Sequence, residues 1–257
     1  SATLYASFFS LPAYPFTGIN PALDSLLNLS YGKYDNGTNV FLAYANGNTP
    51  ISDFTVISGF TLSQATGVAY GNTTINALQL TGYSSITCTI NFYLNTTSLP
   101  ASGNYIAEGN AQWYTSATSG DTNIVALIQP PLSSPNAIAV GGIPGFGNVY
   151  FQQEYISSGS YAYYINAAGE AGQSWVYGSL QYVAGSPTFY AYTAPQLYST
   201  KGGYSGTTKN PINPAGPNLY LGVIGCQAPS SPANAYSNWL RVRAYPPNGV
   251  MPSVEVI

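Results

Sequence analysis

The sequence predicts an all-β chain, an antiparallel β-sandwich of jelly-roll type preceded by an extended N-terminal strand. Three observations predict it. Short runs rich in β-branched and aromatic residues recur along the 257 positions. Turn chemistry separates them, from Asp35-Asn-Gly37 and Asn46-Gly47 to Gly141-Gly-Ile-Pro-Gly145 and Pro246-Pro-Asn-Gly249. A helical period is almost missing, with Pro21–Leu27, capped by Asn20, the one candidate turn of helix.

Taken in order, the chain opens with Ser1–Ser10, which contains neither Gly nor Pro. Pro12, Pro15 and Pro21 then set an arm, residues 1–20, apart from a sandwich domain, residues 21–257. A strand over Thr3–Leu11 has no hairpin partner close by, so it pairs either with the edge of its own sandwich or with an open edge on another copy. Strands are expected at Asn39–Tyr44, Phe54–Phe60, Ile75–Thr81, Asn123–Gln129, Val149–Ile156, Tyr161–Ile165, Ser174–Val183, Thr188–Thr193 and Leu219–Ile224. The clearest run is Ile86–Leu94, where Ile86, Cys88, Ile90, Phe92 and Leu94 alternate strictly with polar residues and should share the core face. Near the end, Leu240, Val242 and Ala244 fall on one face, with Trp239, Arg241, Arg243 and Tyr245 on the other. Ala194–Pro217, rich in Gly, Ser, Pro and Asn, reads as a long surface loop.

Charge sets the bounds on function. Asp, Glu, Lys and Arg make up 5% of the chain, histidine is absent, and 24 tyrosines with many Ser, Thr and Asn take over the polar surface. A typical domain has about 25% charged residues. Five scattered basic residues and a net charge of −3 offer no stripe for phosphates, so nucleic acid is not an expected partner. No apolar run reaches the roughly 18 residues of a membrane helix. Eight carboxylates and no histidine leave acid little to protonate, which suits an acidic exterior. The start at Ser1-Ala2 fits either removal of a secretion leader or a trimmed chain.

Candidate chemistry is sparse. Cys88 and Cys226 are the only cysteines and, in a secreted chain, favour a disulfide over two buried thiols. Sequons occur at Asn28, Asn36, Asn72 and Asn95, about the number chance gives in a chain this rich in Asn, Ser and Thr, so N-glycans are expected only if the protein is extracellular. The acids Asp24, Asp35, Asp53, Glu108, Asp121, Glu154, Glu170 and Glu255 include no closely spaced pair. Glu154 is the best single catalytic candidate, the alternative being simply a solvent-facing strand residue. Without histidine there are no His-based triads or metal sites, so no catalytic residue, metal or cofactor is expected. Lys33 is either an isopeptide donor or an edge lysine. Trp113, Trp175 and Trp239 are either sugar-stacking rings or core and rim aromatics.

Two stretches carry a resemblance. Leu29–Pro50, continuing through Ser52-Asp-Phe54, and Leu219-Tyr-Leu-Gly with Asn238–Tyr245 and Pro252-Ser-Val254 resemble the concanavalin-like jelly-roll domains of surface proteins from thermoacidophilic archaea. With the acid-tolerant composition and the N-terminal strand, the chain resembles the thread pilins of Sulfolobus-type organisms. That resemblance implies a glycosylated, extracellular homopolymer joined head to tail by donor strands. The matching donor segment is Thr3, Leu4, Tyr5, Ala6, Ser7, Phe8, Phe9, Ser10 and Leu11, with either Leu4, Ala6 and Phe8 or Tyr5, Phe9 and Leu11 entering the groove. A monomeric surface lectin or adhesin, or a viral coat or fibre protein, are the alternatives of the same fold.

Overall fold

The computed structural model describes residues 41–57, 59–82, 89–114, 122–145, 148–171, 175–194, 204–225 and 233–245. The N-terminal arm with its donor segment, Asn28, Lys33, Asn36, Cys88 and Cys226 lie outside the described residues. Fifteen strands are described: β1 (Ala43–Asn46), β2 (Phe54–Val56), β3 (Phe60–Tyr70), β4 (Thr73–Gly82), β5 (Thr89–Leu94), β6 (Tyr105–Tyr114), β7 (Thr122–Gln129), β8 (Asn136–Gly145), β9 (Asn148–Ser157), β10 (Ser160–Ala171), β11 (Val176–Tyr182), β12 (Thr188–Ala194), β13 (Tyr204–Lys209), β14 (Tyr220–Gly225) and β15 (Ala233–Ala244).

The strands form two sheets. One runs β13-β12-β11-β6-β15-β4-β3, with β1 also paired to β15; the other runs β10-β9-β8-β7-β14-β5-β2. All pairings are antiparallel. The sheets stack face to face, with β6 and β11 over β7 and with β12 over β8. Phe92, Leu94, Ile124, Leu127, Leu180, Tyr182, Phe189, Leu221, Leu240 and Val242 meet between them in one core. The all-β antiparallel sandwich expected from the sequence is the fold observed.

Three details differ from the sequence reading. Phe54–Phe60 is two strands, because Gly59, at φ +98°, turns the chain between β2 and β3. Gly142–Gly145 lies inside β8, where Pro144 faces Val149 on β9. The expected loop Ala194–Pro217 contains β13, whose Gly- and Thr-rich backbone is held by pairing to β12.

A fourth difference concerns faces. Ile90 does not share the core face of Phe92 and Leu94. Val223 pairs with Phe92 and Ile224 with Ile90, so Asn91 is an extra residue that rotates the strand. Ile90 therefore joins Ala126, Ile128, Ala137, Ala139, Ile156 and Ile224 in a second apolar cluster, on the outward face of the seven-stranded sheet.

The β3–β4 hairpin does not stay in its sheet. β4 pairs with β15 only as far as Leu78 opposite Ser237, after which β1 takes over the same side of β15. The change of partner needs Gly47: a Cβ there would sit 2.2 Å from the Asn76 carbonyl carbon. Beyond it the hairpin crosses the outward face until Tyr70 Oη lies 2.9 Å from Tyr177 Oη on β11. The geometry closes, since Ala65–Tyr70 can span roughly 17–20 Å and three strand spacings need roughly 14 Å.

Candidate functional site

The outward face of the eight-stranded sheet carries the described chain's most concentrated polar chemistry. It exists because of a bulge in β15. Ser237 pairs with Ala111 and Trp239 with Asn110, leaving Asn238 as the inserted residue. Past that point Leu240 and Val242 point into the core, and Trp239, Arg241 and Arg243 point outward, as their alternation in the sequence predicts. Asn238 is held in turn: its Nδ2 donates to Asn110 Oδ1 at 3.1 Å, and Asn110 Nδ2 donates to the Val176 carbonyl at 3.2 Å.

Opposite Arg241 in the ladder stands Glu108 on β6. Arg241 Nε donates to Glu108 Oε2 at 2.9 Å, Arg243 Nη2 to Oε1 at 2.9 Å and Arg243 Nε to Oε2 at 3.3 Å. Glu108 and Arg241 are fully buried. Burial alone would raise the Glu108 carboxyl, but attraction and hydrogen bonds from both arginines outweigh it and hold the group below the usual carboxylate range. Tyr192 on β12, half-buried, is pushed up to about 12 by burial and then by the Glu108 charge.

Aromatic rings flank this triad. The Arg241 Cζ lies 4.4 Å from the Trp239 ring centroid and 5.1 Å from that of Phe41. Trp239 sits 6.1 Å from Tyr177, and Tyr70 on the hairpin sits 5.1 Å from Trp175, whose Nε1 donates to the Ala69 carbonyl at 2.9 Å. The fold thus brings Trp175 and Trp239 onto one face, a juxtaposition not visible in the sequence.

The other sheet holds Glu154, and here the expectation of a solvent-facing residue is corrected. Glu154 is fully buried, and Asn123 Nδ2 donates to its Oε2 and to the Ile224 carbonyl. It lies on the outward face beside Ala139. Glu108 and Glu154 therefore point to opposite outer surfaces, with two sheets about 10 Å apart between them. A glycosidase pair needs carboxyls within about 10 Å, and these two do not form one. Asn72, at the hairpin tip, and Asn95 are both exposed.

No family model matches the chain. A protein of Sulfolobus islandicus rod-shaped virus 1, described only as uncharacterized protein 562, is 37% identical over 256 residues, covering 98% of this chain. The chain spans 44% of that relative's length. Among solved structures, a protein of unknown function from Shewanella oneidensis MR-1 superposes with a TM-score of 0.51 at 11% identity, covering 92% of this chain and 98% of its own. An engineered GH43 glycoside hydrolase superposes with a TM-score of 0.51 at 9% identity, covering 81% of this chain and 41% of its own. Lectin I from Ulex europaeus gives 0.48 at 13% identity, over 79% of this chain and 98% of its own. The two structures at 0.51 share the sandwich fold; at such identities they speak for fold alone.

Proposed function

We propose that the chain is a non-enzymatic structural module of an extracellular fibre in an acidic habitat, borne on a virion or a cell surface. It joins its neighbour by adding the strand Thr3–Leu11 to the sheet edge at β1. The observation that carries this reading is the edge itself. All four residues of β1 are buried, yet among the described residues it pairs on one side only, with β15. Among the described residues no strand follows β4 on this side of β15 beside β1, because the far part of the β3–β4 hairpin crosses the outer face. An extended segment laid there would gain main-chain hydrogen bonds along a ready ladder, the mode of recognition called strand addition. Repeated from copy to copy, such a contact is heterologous and does not close, so it builds a fibre.

Three further observations support the reading. The relative belongs to a virus of Sulfolobus islandicus, and the chain corresponds to less than half of it, as a module of a longer protein would. Both buried acids among the described residues serve internal hydrogen bonds rather than a shared cleft. The charge content leaves little for acid to protonate. N-glycans at the exposed Asn72 and Asn95, and at Asn28 and Asn36, would add hydration that the missing charges do not.

Negative-stain microscopy of the chain beside a variant lacking residues 1–11 tests the proposal. Fibres from the full chain, and monomers from a truncation that keeps its β circular-dichroism signature, are expected. Monomers from both, or fibres from both, would overturn it.

A further inference from the structure

We propose that Tyr93 and Tyr220 form a docking surface for the first sugar of an N-linked glycan carried by Asn95. This rests on the extracellular reading above and gives it a saccharide site built into the fold. The residue two places before each sequon is the first observation. Tyr34 stands in that position before Asn36, Tyr70 before Asn72 and Tyr93 before Asn95; Asn28 has Leu26 there. The same three sequons end in threonine, at Thr38, Thr74 and Thr97, whereas that of Asn28 ends in Ser30. Tyrosine fills about one position in eleven, so three such matches in four are a chance event of roughly three in a thousand. Composition accounts for the number of sequons, but not for their tyrosines.

The geometry at Asn95 gives such a tyrosine a task. Residues two apart along a strand share a face. The Asn95 N–H donates to the Asp53 carbonyl at 2.9 Å, so the ladder between β5 and β2 runs on into the sequon. Tyr93 packs against the second apolar cluster, on the outward face of the seven-stranded sheet, and Thr55 on β2 stands opposite it. Asn95 Nδ2 lies 3.5 Å from Thr55 Oγ1, so the atom that takes the sugar sits over the same face as the Tyr93 ring. Tyr220 on β14 adds a second ring, its centroid 5.1 Å from that of Tyr93 and tilted by 53°. Gly222, opposite Tyr93 in the ladder, brings no side chain between them; a Cβ there would meet the Tyr93 Cβ at 2.9 Å.

The site is both open and held. Asn95 and Thr96 are exposed, and both tyrosines are half-buried. Leu99 and Leu219 exchange backbone hydrogen bonds of 2.9 and 2.7 Å, and Asn218 Nδ2 donates to Ser98 Oγ at 2.9 Å, which fixes the turn that carries the sequon. A sugar on Asn95 Nδ2 folds back over Tyr93, lays its C–H face on the ring and keeps its hydroxyls in water. Attachment needs a lipid phosphate-linked oligosaccharide and a transferase, both from the glycosylating cell. Nδ2 attacks C1 of the sugar, the C1–O bond to the phosphate breaks as the N–C1 bond forms, Nδ2 gives up one proton, and the lipid phosphate leaves.

Secretion of the full chain behind a leader, from an N-glycosylating archaeal host, tests this. Because the leader forces export, failure here is separate from failure of the extracellular reading. Glycopeptide mass spectrometry should find Asn95 occupied. The occupied chain should melt about 2–4 °C above secreted Asn95→Gln. That gap should shrink to under about 1 °C when both chains also carry Tyr93→Leu, which stays apolar but has no flat ring. If Tyr93→Leu does not fold, Tyr220→Leu takes its place in the same comparison. An empty Asn95 on the secreted chain, no gap in melting temperature, or a gap that the tyrosine substitution leaves unchanged overturns the proposal.

Discussion

The two outward faces of this sandwich bury opposite chemistries. On the seven-stranded sheet the buried outer residues are mainly Ile and Ala, a second apolar cluster behind the main core. On the eight-stranded sheet they include Glu108, Arg241, Arg243, Asn110 and Trp239. Each arrangement hangs on one inserted asparagine. Asn91 turns Ile90 out to join the apolar face, and Asn238 turns Trp239 and the arginines out to form the polar one. The difference teaches where a chain with so few charges places them. Two of its five basic residues are committed to one buried carboxylate.

Breaking the polar face should have the largest effect. Glu108→Ala removes the carboxylate that two almost wholly buried guanidinium groups share and should cost about 3–5 kcal/mol in chemical denaturation. A loss under about 1 kcal/mol would mean that water reaches the triad. On the apolar face, Ile128→Ala removes a fully buried side chain and should cost about 2–4 kcal/mol, the usual range for such a cavity. Gly47→Ala forces a methyl into the Asn76 backbone where β1 replaces β4; a cost of about 1–3 kcal/mol is expected, read from the shift in denaturation midpoint. Tyr70→Phe removes only the hydroxyl contact with Tyr177 and should cost about 0.5–1.5 kcal/mol, with faster amide exchange confined to the hairpin.

The faces also differ in their response to pH. The Glu108 carboxyl is lower in the folded chain than in the unfolded one, so its contribution is present above the ordinary carboxylate range and is lost as pH falls through its depressed value. Stability should therefore hold from neutral pH to about pH 4 and decline below it, and Glu108→Gln should lower the plateau while flattening the decline. At the alkaline end the sign reverses. Tyr182 and Tyr192 are raised to about 12, so their contribution is complete below the ordinary tyrosine value and disappears as pH rises from there through 12. A melting temperature that rises between pH 9 and 12 would contradict this.

Much of the fold was legible in the sequence because alternation and turn chemistry are local. Ile75–Thr81 lies within β4, and Thr188–Thr193 lies within β12. The bulges were not legible. One inserted residue leaves a polar–apolar alternation looking intact, yet it reverses every face beyond it, which is why Ile90 was assigned to the core. β13 was hidden by its Gly and Thr content, which only the pairing with β12 makes a strand. The polar site was harder still. Glu108 was one acid among eight, and its partners lie 133 and 135 positions away. Glu154 looked exposed because nothing near it in sequence signals Asn123, 31 positions earlier.

The measurement that tests the account most directly is the melting temperature of the chain lacking residues 1–11, with and without a synthetic peptide of sequence Thr3–Leu11. An edge at β1 that is completed by an added strand predicts a lower melting temperature for the truncation and its recovery as one equivalent of peptide binds. A truncation that melts with the full chain and ignores the peptide would contradict strand addition at β1.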